Sequence, residues 1–189
     1  MIGMNDLKNG SFIAINNDPF VVLEIKHLHM GRGGSSVQTR IRNLRTGQVL
    51  EKNYKPADQF EEADVQKTTA KFIYSHRGEF WFLDTETNVR FELNRDIISD
   101  NEFYLKPNLD IIALKFKDKI INIELPIKVD YKVVEAPPAT RGNTAQGGTK
   151  TVVIESGAKA AVPLFINEND IIRINTQTGE YVERVEKNG

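Results

Sequence analysis

The stretch that decides the fold class spans residues 37–44 and reads Val37-Gln38-Thr39-Arg40-Ile41-Arg42-Asn43-Leu44. Apolar or β-branched side chains occupy every second position up to residue 41, and polar or basic ones lie between them. This period of two predicts a β-strand with one buried face and one face in solvent. Downstream, Thr46-Gly47 turns the chain into another strand-like run at residues 49–54. The stretch therefore predicts one strand of an antiparallel sheet.

Strand-like runs recur along the rest of the chain. We predict strands at residues 12–15, 20–29, 37–44, 49–54, 71–75, 79–84, 89–93, 111–116, 120–125, 129–133, 152–154, 162–166, 171–175 and 181–185. Only residues 60–67 and 96–99 suit short helices. So many short strands favour small β-barrels over alternating strands and helices.

Two positions divide the chain into modules. The polar stretch 57–69 separates the basic segment from an aromatic hairpin, and Pro126 ends a strand because proline donates no backbone hydrogen bond. We therefore predict three domains, at residues 1–64, 65–126 and 127–189. Domains of roughly 60 residues bury little apolar surface each, so packing between them should contribute to stability.

Composition excludes several classes of protein. The 189 residues include 25 basic and 26 acidic ones, and 40% are hydrophobic, which is typical of a globular protein. The absence of cysteine excludes disulfides, thiolate metal sites and cysteine nucleophiles. No apolar run reaches the roughly 18 residues of a membrane span. Residues 1–6 lack a secretory pattern, so we expect a cytoplasmic protein.

Basic residues are concentrated in one segment. Residues 26–55 carry seven bases against one acid, Glu51; the bases are Lys26, Arg32, Arg40, Arg42, Arg45, Lys52 and Lys55. Such a stretch on a nearly neutral chain suggests a patch for a polyanion. The alternative is a solvated strand face whose charges have no ligand.

The sharpest local feature is the loop Gly31-Arg32-Gly33-Gly34 between two predicted strands. Glycines allow a tight turn and a close approach to another molecule, and the arginine presents a planar, permanently charged donor that suits phosphates and bases. The alternative is a mobile hairpin tip with an incidental arginine. A phosphate-binding P-loop fits poorly, because no Lys-Ser/Thr pair and no helix follow.

Other candidate sites are weaker. His27 and His29 are too few to ligate zinc, so we expect no metal site; more plausibly they border the basic face and touch RNA, or lie in solvent. The acidic cluster of Glu61, Glu62 and Asp64 has no substrate pocket implied nearby. The aromatic hairpin could stack on bases, although period-two aromatics more often face the core; its members are Phe72, Tyr74, Phe80, Trp81 and Phe82.

Motifs in a fixed order resemble the bacterial translation elongation factor P family. They are Gly31-Arg32-Gly33 with residues 39–47, then residues 49–52, 63–65, 78–82, 141–144, 147–150, 162–166 and 178–185. The resemblance covers essentially the whole chain. It implies an all-β fold of three small barrels, an SH3-like (KOW-type) domain followed by two OB-folds, in an L-shaped outline similar to a tRNA.

The resemblance also implies a function. Such factors bind the bacterial 70S ribosome between the peptidyl and exit tRNA sites and relieve stalling at consecutive prolines, without being enzymes. Arg32 would be the loop tip near the peptidyl-tRNA acceptor end, a position that a dedicated enzyme modifies in many relatives. Met30, Gly31, Gly33 and Gly34 would support this tip. The implied tRNA or rRNA contacts are His29, Arg40, Arg42, Arg45, Lys52, Arg141, Gly142, Asn143, Thr144, Tyr181 and Arg184.

Two functions therefore stand at the level of sequence. The first is a ribosome-binding elongation factor that acts by positioning, and we expect it to be a monomer with no cofactor, no DNA partner and no membrane partner. The second is a general OB-fold RNA-binding protein with no role in peptidyl transfer. An enzyme with an unrecognised site is a third and weaker option. Arg32 discriminates them, because a generic binder loses affinity gradually as basic residues are removed.

Overall fold

The first of three antiparallel sheets holds the basic segment. The computed structural model describes residues 1–30, 34–55, 57–138 and 148–187. Six strands follow the order β1-β6-β2-β3-β4-β5. They are β1 (Ile2–Gly3), β2 (Phe12–Ile15), β3 (Asp18–Met30), β4 (Gly34–Asn43), β5 (Val49–Tyr54) and β6 (Gln59–Glu62). Their core includes Ile13, Val22 and Ile41, closed by Met4 from a 3-10 helix (Met4–Asp6).

The second and third sheets have five strands each and share one strand order. The second contains β7 (Val65–His76), β8 (Glu79–Asp84), β9 (Arg90–Asn94), β10 (Asp110–Phe116) and β11 (Lys119–Glu124). The third contains β12 (Lys128–Glu135), β13 (Thr149–Ile154), β14 (Lys159–Pro163), β15 (Ile171–Asn175) and β16 (Tyr181–Glu186). Numbered within each sheet, both orders are 3-2-1-4-5. A three-stranded meander extended by two further strands is the arrangement expected for a small Greek-key barrel of the OB type.

One kind of hairpin turn occurs in all three sheets. A side-chain oxygen of the first turn residue accepts hydrogen bonds of 2.8–3.3 Å from the backbone N–H groups two and three positions later. The first residues of these turns are Asn43, Asp84 and Asn175. The residue four positions later has positive φ in each case, and these residues are Gly47, Asn88 and Gly179. Asn, Asp and Gly suit these positions because they satisfy the turn locally and tolerate left-handed backbone.

The first and second sheets pack through a small shared core. Leu44 and Ala63 lie against Leu114, Phe116 and Ile121. The buried side-chain nitrogen of Asn122 donates to the carbonyl of Leu44 at 2.8 Å. This hydrogen bond ties the turn after β4 to β11.

The second and third sheets share one larger hydrophobic core. The hydroxyl of Tyr131, which is fully buried, donates to the carbonyl of Tyr104 at 2.6 Å, and burial raises the pKa of Tyr131. Lys106 Nζ contacts both the Asp130 carbonyl, at 2.7 Å, and Glu155, at 2.9 Å. Tyr104 ends the only helical segment between β9 and β10, formed by α1 (Arg95–Ile98) and a 3-10 helix (Ser99–Tyr104).

Arg173 forms a bidentate ion pair with Asp130, at 2.6 Å and 2.9 Å. The hydrogen bonds from Arg173 lower the pKa of Asp130 although partial burial opposes them. A carboxylate with a lowered folded-state pKa stabilises the fold above its unfolded pKa of about 3.9, and that stabilisation is lost as the pH falls through the folded value.

We therefore expect the free energy of unfolding of Asp130→Asn to fall less steeply as the pH is lowered. Denaturant titrations between about pH 2.5 and pH 6 should give a shallower slope of unfolding free energy below about pH 4 than in the unmodified protein. Asp118→Asn is the control, because the Asp118 side chain is 95% exposed. If the unfolding free energy of Asp130→Asn fell as steeply below about pH 4 as that of the unmodified protein, the lowered pKa of Asp130 would not be a source of the acid sensitivity.

The all-β fold class is confirmed, but two local predictions are wrong. Residues 60–67 do not form a helix: Phe60 is buried in β6, opposite Ile2, and β7 already begins at Val65. The apolar spacing of this stretch imitates a helix because it spans the end of one strand and the start of another. Residues 57–69 still separate the first sheet from the second, although they contain β6 and the start of β7. The strand predicted at residues 162–166 instead ends at Pro163, where a turn begins.

Candidate nucleic-acid interface

A two-stranded ribbon extends beyond the first sheet. The partners β3 and β4 stay paired up to Met30 opposite Gly34, whereas β5 ends at Tyr54 opposite Val37. Within the described part of the chain, no third strand pairs with residues 28–30 and 34–36, over about 10 Å at the usual rise per residue. The predicted positions His29, Met30 and Gly34 belong to this ribbon. The predicted tip, Gly31, Arg32 and Gly33, joins its two strands and lies outside the described residues.

The predicted basic face exists on β4. Arg40 and Arg42 are exposed, and Val37, Thr39 and Ile41, which alternate with the outward residues, are buried. The strand-pair register then shows which side chains share the outer face, because directly opposed residues of antiparallel strands point to the same side.

Acidic neighbours offset part of this basic face. Arg40 lies directly between Glu24 of β3 and Glu51 of β5, and Lys26 forms an ion pair with Glu24 at 3.1 Å. Arg42 instead lies between Val21 and Val49. The linear charge count missed Glu24 because this residue precedes the basic segment and meets Arg40 only through strand pairing. The positive charge of Arg42 is therefore less offset by acidic cross-strand neighbours than that of Arg40.

Two predicted contact residues lie away from this face. Lys52 is opposite the buried Thr39, so its side chain starts on the inner side of β5 and is half-buried. Arg45 lies in the turn after β4, 3.6 Å from Asp18, with its guanidinium 5.7 Å from the ring centre of Phe116. Its contact with Phe116 connects the first sheet to the second. The structure thus groups Arg40 with Arg42 but does not bring Lys52 or Arg45 to them.

Tyr181 and Arg184 lie together on β16, at the edge of the third sheet. Tyr181 packs against the shared core, and this burial raises its pKa. The Arg184 guanidinium lies 3.6 Å from the buried Asp170 and 4.9 Å from the ring centre of Phe165, which is 55% exposed. The predicted contacts Arg141, Gly142, Asn143 and Thr144 fall outside the described residues.

The aromatic hairpin divides between two faces. Phe72, Phe80 and Phe82 are buried in the second sheet, as expected for most of the group. Tyr74 and Trp81 point outwards and stack on each other, with ring centres 6.2 Å apart and an interplanar angle of 17°. A β-bulge between Phe72 and Tyr74 alters the alternation at this point.

The described residues form a groove between two sheets but no cluster of side chains that could hold a metal ion. Within residues 1–30, 34–55, 57–138 and 148–187, no three His, Cys, Asp or Glu side chains are grouped to hold a metal ion. A groove of about 490 Å³ lies where the second and third sheets meet, and its polar lining includes Asp110, Lys128 and the paired Asp130 and Arg173. Of the helices in that part of the chain, none is long and apolar enough to cross a membrane.

We expect Arg42→Ala to weaken RNA binding more than Lys52→Ala, because only Arg42 lies on the outer face. Removing a phosphate contact should reduce the slope of log affinity against log salt by about one. Fluorescence anisotropy with a labelled tRNA acceptor-stem hairpin at several salt concentrations measures this slope. Arg90→Ala is the control, because Arg90 is exposed on β9 of the second sheet. Equal slopes for Arg42→Ala and Arg90→Ala would count against an RNA contact at Arg42.

The fold and comparisons with known proteins together define a translation factor built from a KOW-like domain and OB-type domains. Three family models match in succession: the elongation factor P KOW-like domain over residues 3–60, its OB domain over residues 65–123 and its C-terminal domain over residues 129–184. The chain belongs to the elongation factor P family. The family predicted from the sequence is thereby confirmed.

Full-length relatives agree with this assignment. Elongation factor P of Moorella thermoacetica is 40% identical over 184 residues, covering 97% of this chain and 100% of the relative. Elongation factor P of a Synechococcus species is 37% identical, with the same coverage. A solved structure, eukaryotic translation initiation factor 5A from Methanococcus jannaschii, aligns with 65% of this chain and 94% of its own at 15% identity and a TM-score of 0.46.

Proposed function

We propose that this protein is a translation elongation factor that binds the bacterial 70S ribosome between the peptidyl and exit tRNA sites. There it promotes peptide-bond formation at consecutive prolines by positioning the acceptor end of the peptidyl-tRNA. The observation that carries this proposal is the β3–β4 ribbon, which continues past the last pair with β5 and is closed by residues 31–33. Membership of the elongation factor P family supports it.

The proposed mechanism needs no catalytic group. Proline is a poor nucleophile and a constrained donor, so the reaction suffers when the peptidyl-tRNA and the incoming amine are misaligned. Holding the reactants in productive geometry can lower a barrier by several kcal/mol. A narrow ribbon suits this purpose, because it brings one side chain to a distant point without the bulk of the sheet. The protein is accordingly proposed to act without being an enzyme.

Each end of the chain has a proposed role. Arg32 meets the acceptor end, and Arg42, with Arg40 between its two glutamates, faces the acceptor-stem backbone. His29, on the ribbon, is a further proposed RNA contact. Between β12 and β13 along the chain, residues 141–144 are proposed to contact the exit-site codon and the small subunit, with Tyr181 and Arg184 of β16 as further RNA contacts.

Further proposals concern the state of the protein. We propose domains at residues 1–64, 65–126 and 127–189, a boundary choice that the three successive sheets support. The protein is proposed to act as a cytoplasmic monomer, with Arg32 as the residue on which a modifying enzyme would act.

A reconstituted translation assay tests the proposed function. The reporter encodes three consecutive prolines, and unmodified recombinant protein is added to a bacterial system that lacks its own factor. We expect relief of the stall, with no effect on a reporter whose prolines are replaced by alanine. If the protein binds RNA but relieves no stall, even when purified from its native host with any modification intact, the general RNA-binding function is the better reading.

A further inference from the structure

The same hairpin turn of the first and third sheets meets one helical segment of the second. A Cβ added to Gly47, in the first sheet's turn, would lie 3.4 Å from the carbonyl oxygen of Asp96. A Cβ added to Gly179, in the third sheet's turn, would lie 2.7 Å from the hydroxyl oxygen of Tyr104. Asp96 and Tyr104 belong to α1 and to the 3-10 helix that follows it. This short segment therefore contacts both outer modules.

The contact between Gly179 and Tyr104 is the tighter of the two. A separation of 2.7 Å is shorter than real Cβ contacts allow, so the turn approaches the tyrosine as closely as a bare backbone can. Gly179 also has φ of 74°, a conformation that side chains rarely adopt. Tyr104 is held in place in turn, because its carbonyl accepts the Tyr131 hydroxyl hydrogen bond and its ring packs on the shared core.

We propose that Gly179 and Tyr104 are positioning residues that set the orientation of the third module relative to the β3–β4 ribbon. This inference rests on the proposed function, in which the two ends of the chain engage separate RNA sites at once. A protein that binds two sites gains from the second only when its geometry already matches the distance between them. The contact between the Gly179 turn and Tyr104 fixes this geometry in the free protein, before it binds the ribosome.

Two glycine variants separate docking from backbone strain. Gly179→Ala adds a methyl group against Tyr104, whereas Gly157→Ala adds one at φ of 87° with no atom within 4 Å. Both variants incur the cost of a left-handed alanine, but only the first disturbs the contact. At saturating factor, we expect Gly179→Ala to slow stall relief about tenfold, the size of effect that a small misplacement can cause. Gly157→Ala should stay within about twofold of the unmodified rate, since its methyl group meets no neighbour.

A distance measurement makes the test independent of translation. Because the chain has no cysteine, Lys8→Cys and Lys159→Cys place two spin labels on exposed positions of the first and third modules without competing sites. Double electron–electron resonance then reports the distribution of distances between these modules. We expect a shifted or broadened distribution for Gly179→Ala and an unchanged one for Gly157→Ala.

Rescue identifies the contact itself. Tyr104→Phe removes the hydroxyl oxygen that the new methyl group would meet and leaves the next ring atom 3.9 Å away. Combined with Gly179→Ala, it should restore both the distance distribution and the rate. If Gly179→Ala fails to fold, Tyr104→Ala should broaden the distribution from the other side of the contact. An unchanged distribution in Gly179→Ala, or no recovery with Tyr104→Phe, would overturn the proposal; failure of the unmodified protein to relieve stalling would instead reject the proposed function.

Discussion

Arg32→Ala should remove nearly all relief of stalling at three consecutive prolines while leaving ribosome binding nearly intact. We expect the maximal rate of stall relief to fall by about 100-fold, because losing the group that fixes reacting geometry can cost that much. The concentration for half-maximal effect should rise by less than about threefold, since one phosphate contact among several contributes modestly to affinity. Stall-relief rates at a series of factor concentrations separate the two quantities.

Two variants sharpen this experiment. Arg90→Ala removes an exposed arginine from β9, in the second sheet, and should leave both quantities unchanged. Arg32→Lys retains the charge but loses the planar, forked donor, so an intermediate rate is expected. A parallel decline of rate and affinity in Arg32→Ala would indicate a general RNA-binding contact and not a positioning one.

The second large effect concerns the joint between the first two sheets. We expect Asn122→Ala to lower the free energy of unfolding by about 3 kcal/mol, because it deprives two polar groups of their partner at a site that is only 7% exposed. The Asn122 nitrogen donates to the Leu44 carbonyl, and its side-chain oxygen accepts the N–H of Ile123 at 2.7 Å. Urea titration followed by fluorescence of the single tryptophan, Trp81 in the second sheet, measures the change.

Asn53→Ala is the matched control for this variant, because Asn53 is exposed on β5. It should change the unfolding free energy by less than about 0.5 kcal/mol, as surface substitutions usually do. If Asn122→Ala were no more destabilising than the control, the interface would hold the two sheets together without this buried hydrogen bond.

Local alternation predicted most strands because a sheet with one buried face imposes a period of two on the sequence. Val49–Tyr54, Glu79–Asp84 and Ile171–Asn175 were predicted with their observed bounds. The prediction failed at residues 60–67, where β6 is short and its two partners, β1 and β2, lie more than forty residues earlier. Strand pairs of that separation leave no local signal.

The candidate interface was less predictable, since its charge depends on which strands are neighbours. The acidic neighbour of Arg40, Glu24, lies 16 positions away in sequence and enters the outer face only through the register of β3 and β4. Proximity in sequence groups Lys52 with Arg40 and Arg42. In the sheet, however, Lys52 lies opposite the buried Thr39, so its side chain starts on the inner side of β5. Composition can be counted from the sequence, whereas the register between strands is known only once the whole sheet has been determined.

Four of the hydrogen bonds between the modules share an asymmetry that bears on how the chain can diverge. Four side-chain donors, Asn122, Tyr131, Lys106 and Ser156, each reach a backbone carbonyl in a neighbouring module. The acceptor residues contribute only main-chain oxygen, which any amino acid would supply in the same place. Evolutionary drift at Leu44, Tyr104, Asp130 and Phe103 therefore leaves these bonds formed, whereas a change of donor breaks one. Selection on this network acts on one side of each pair, so the paired positions should show little coevolution through these bonds.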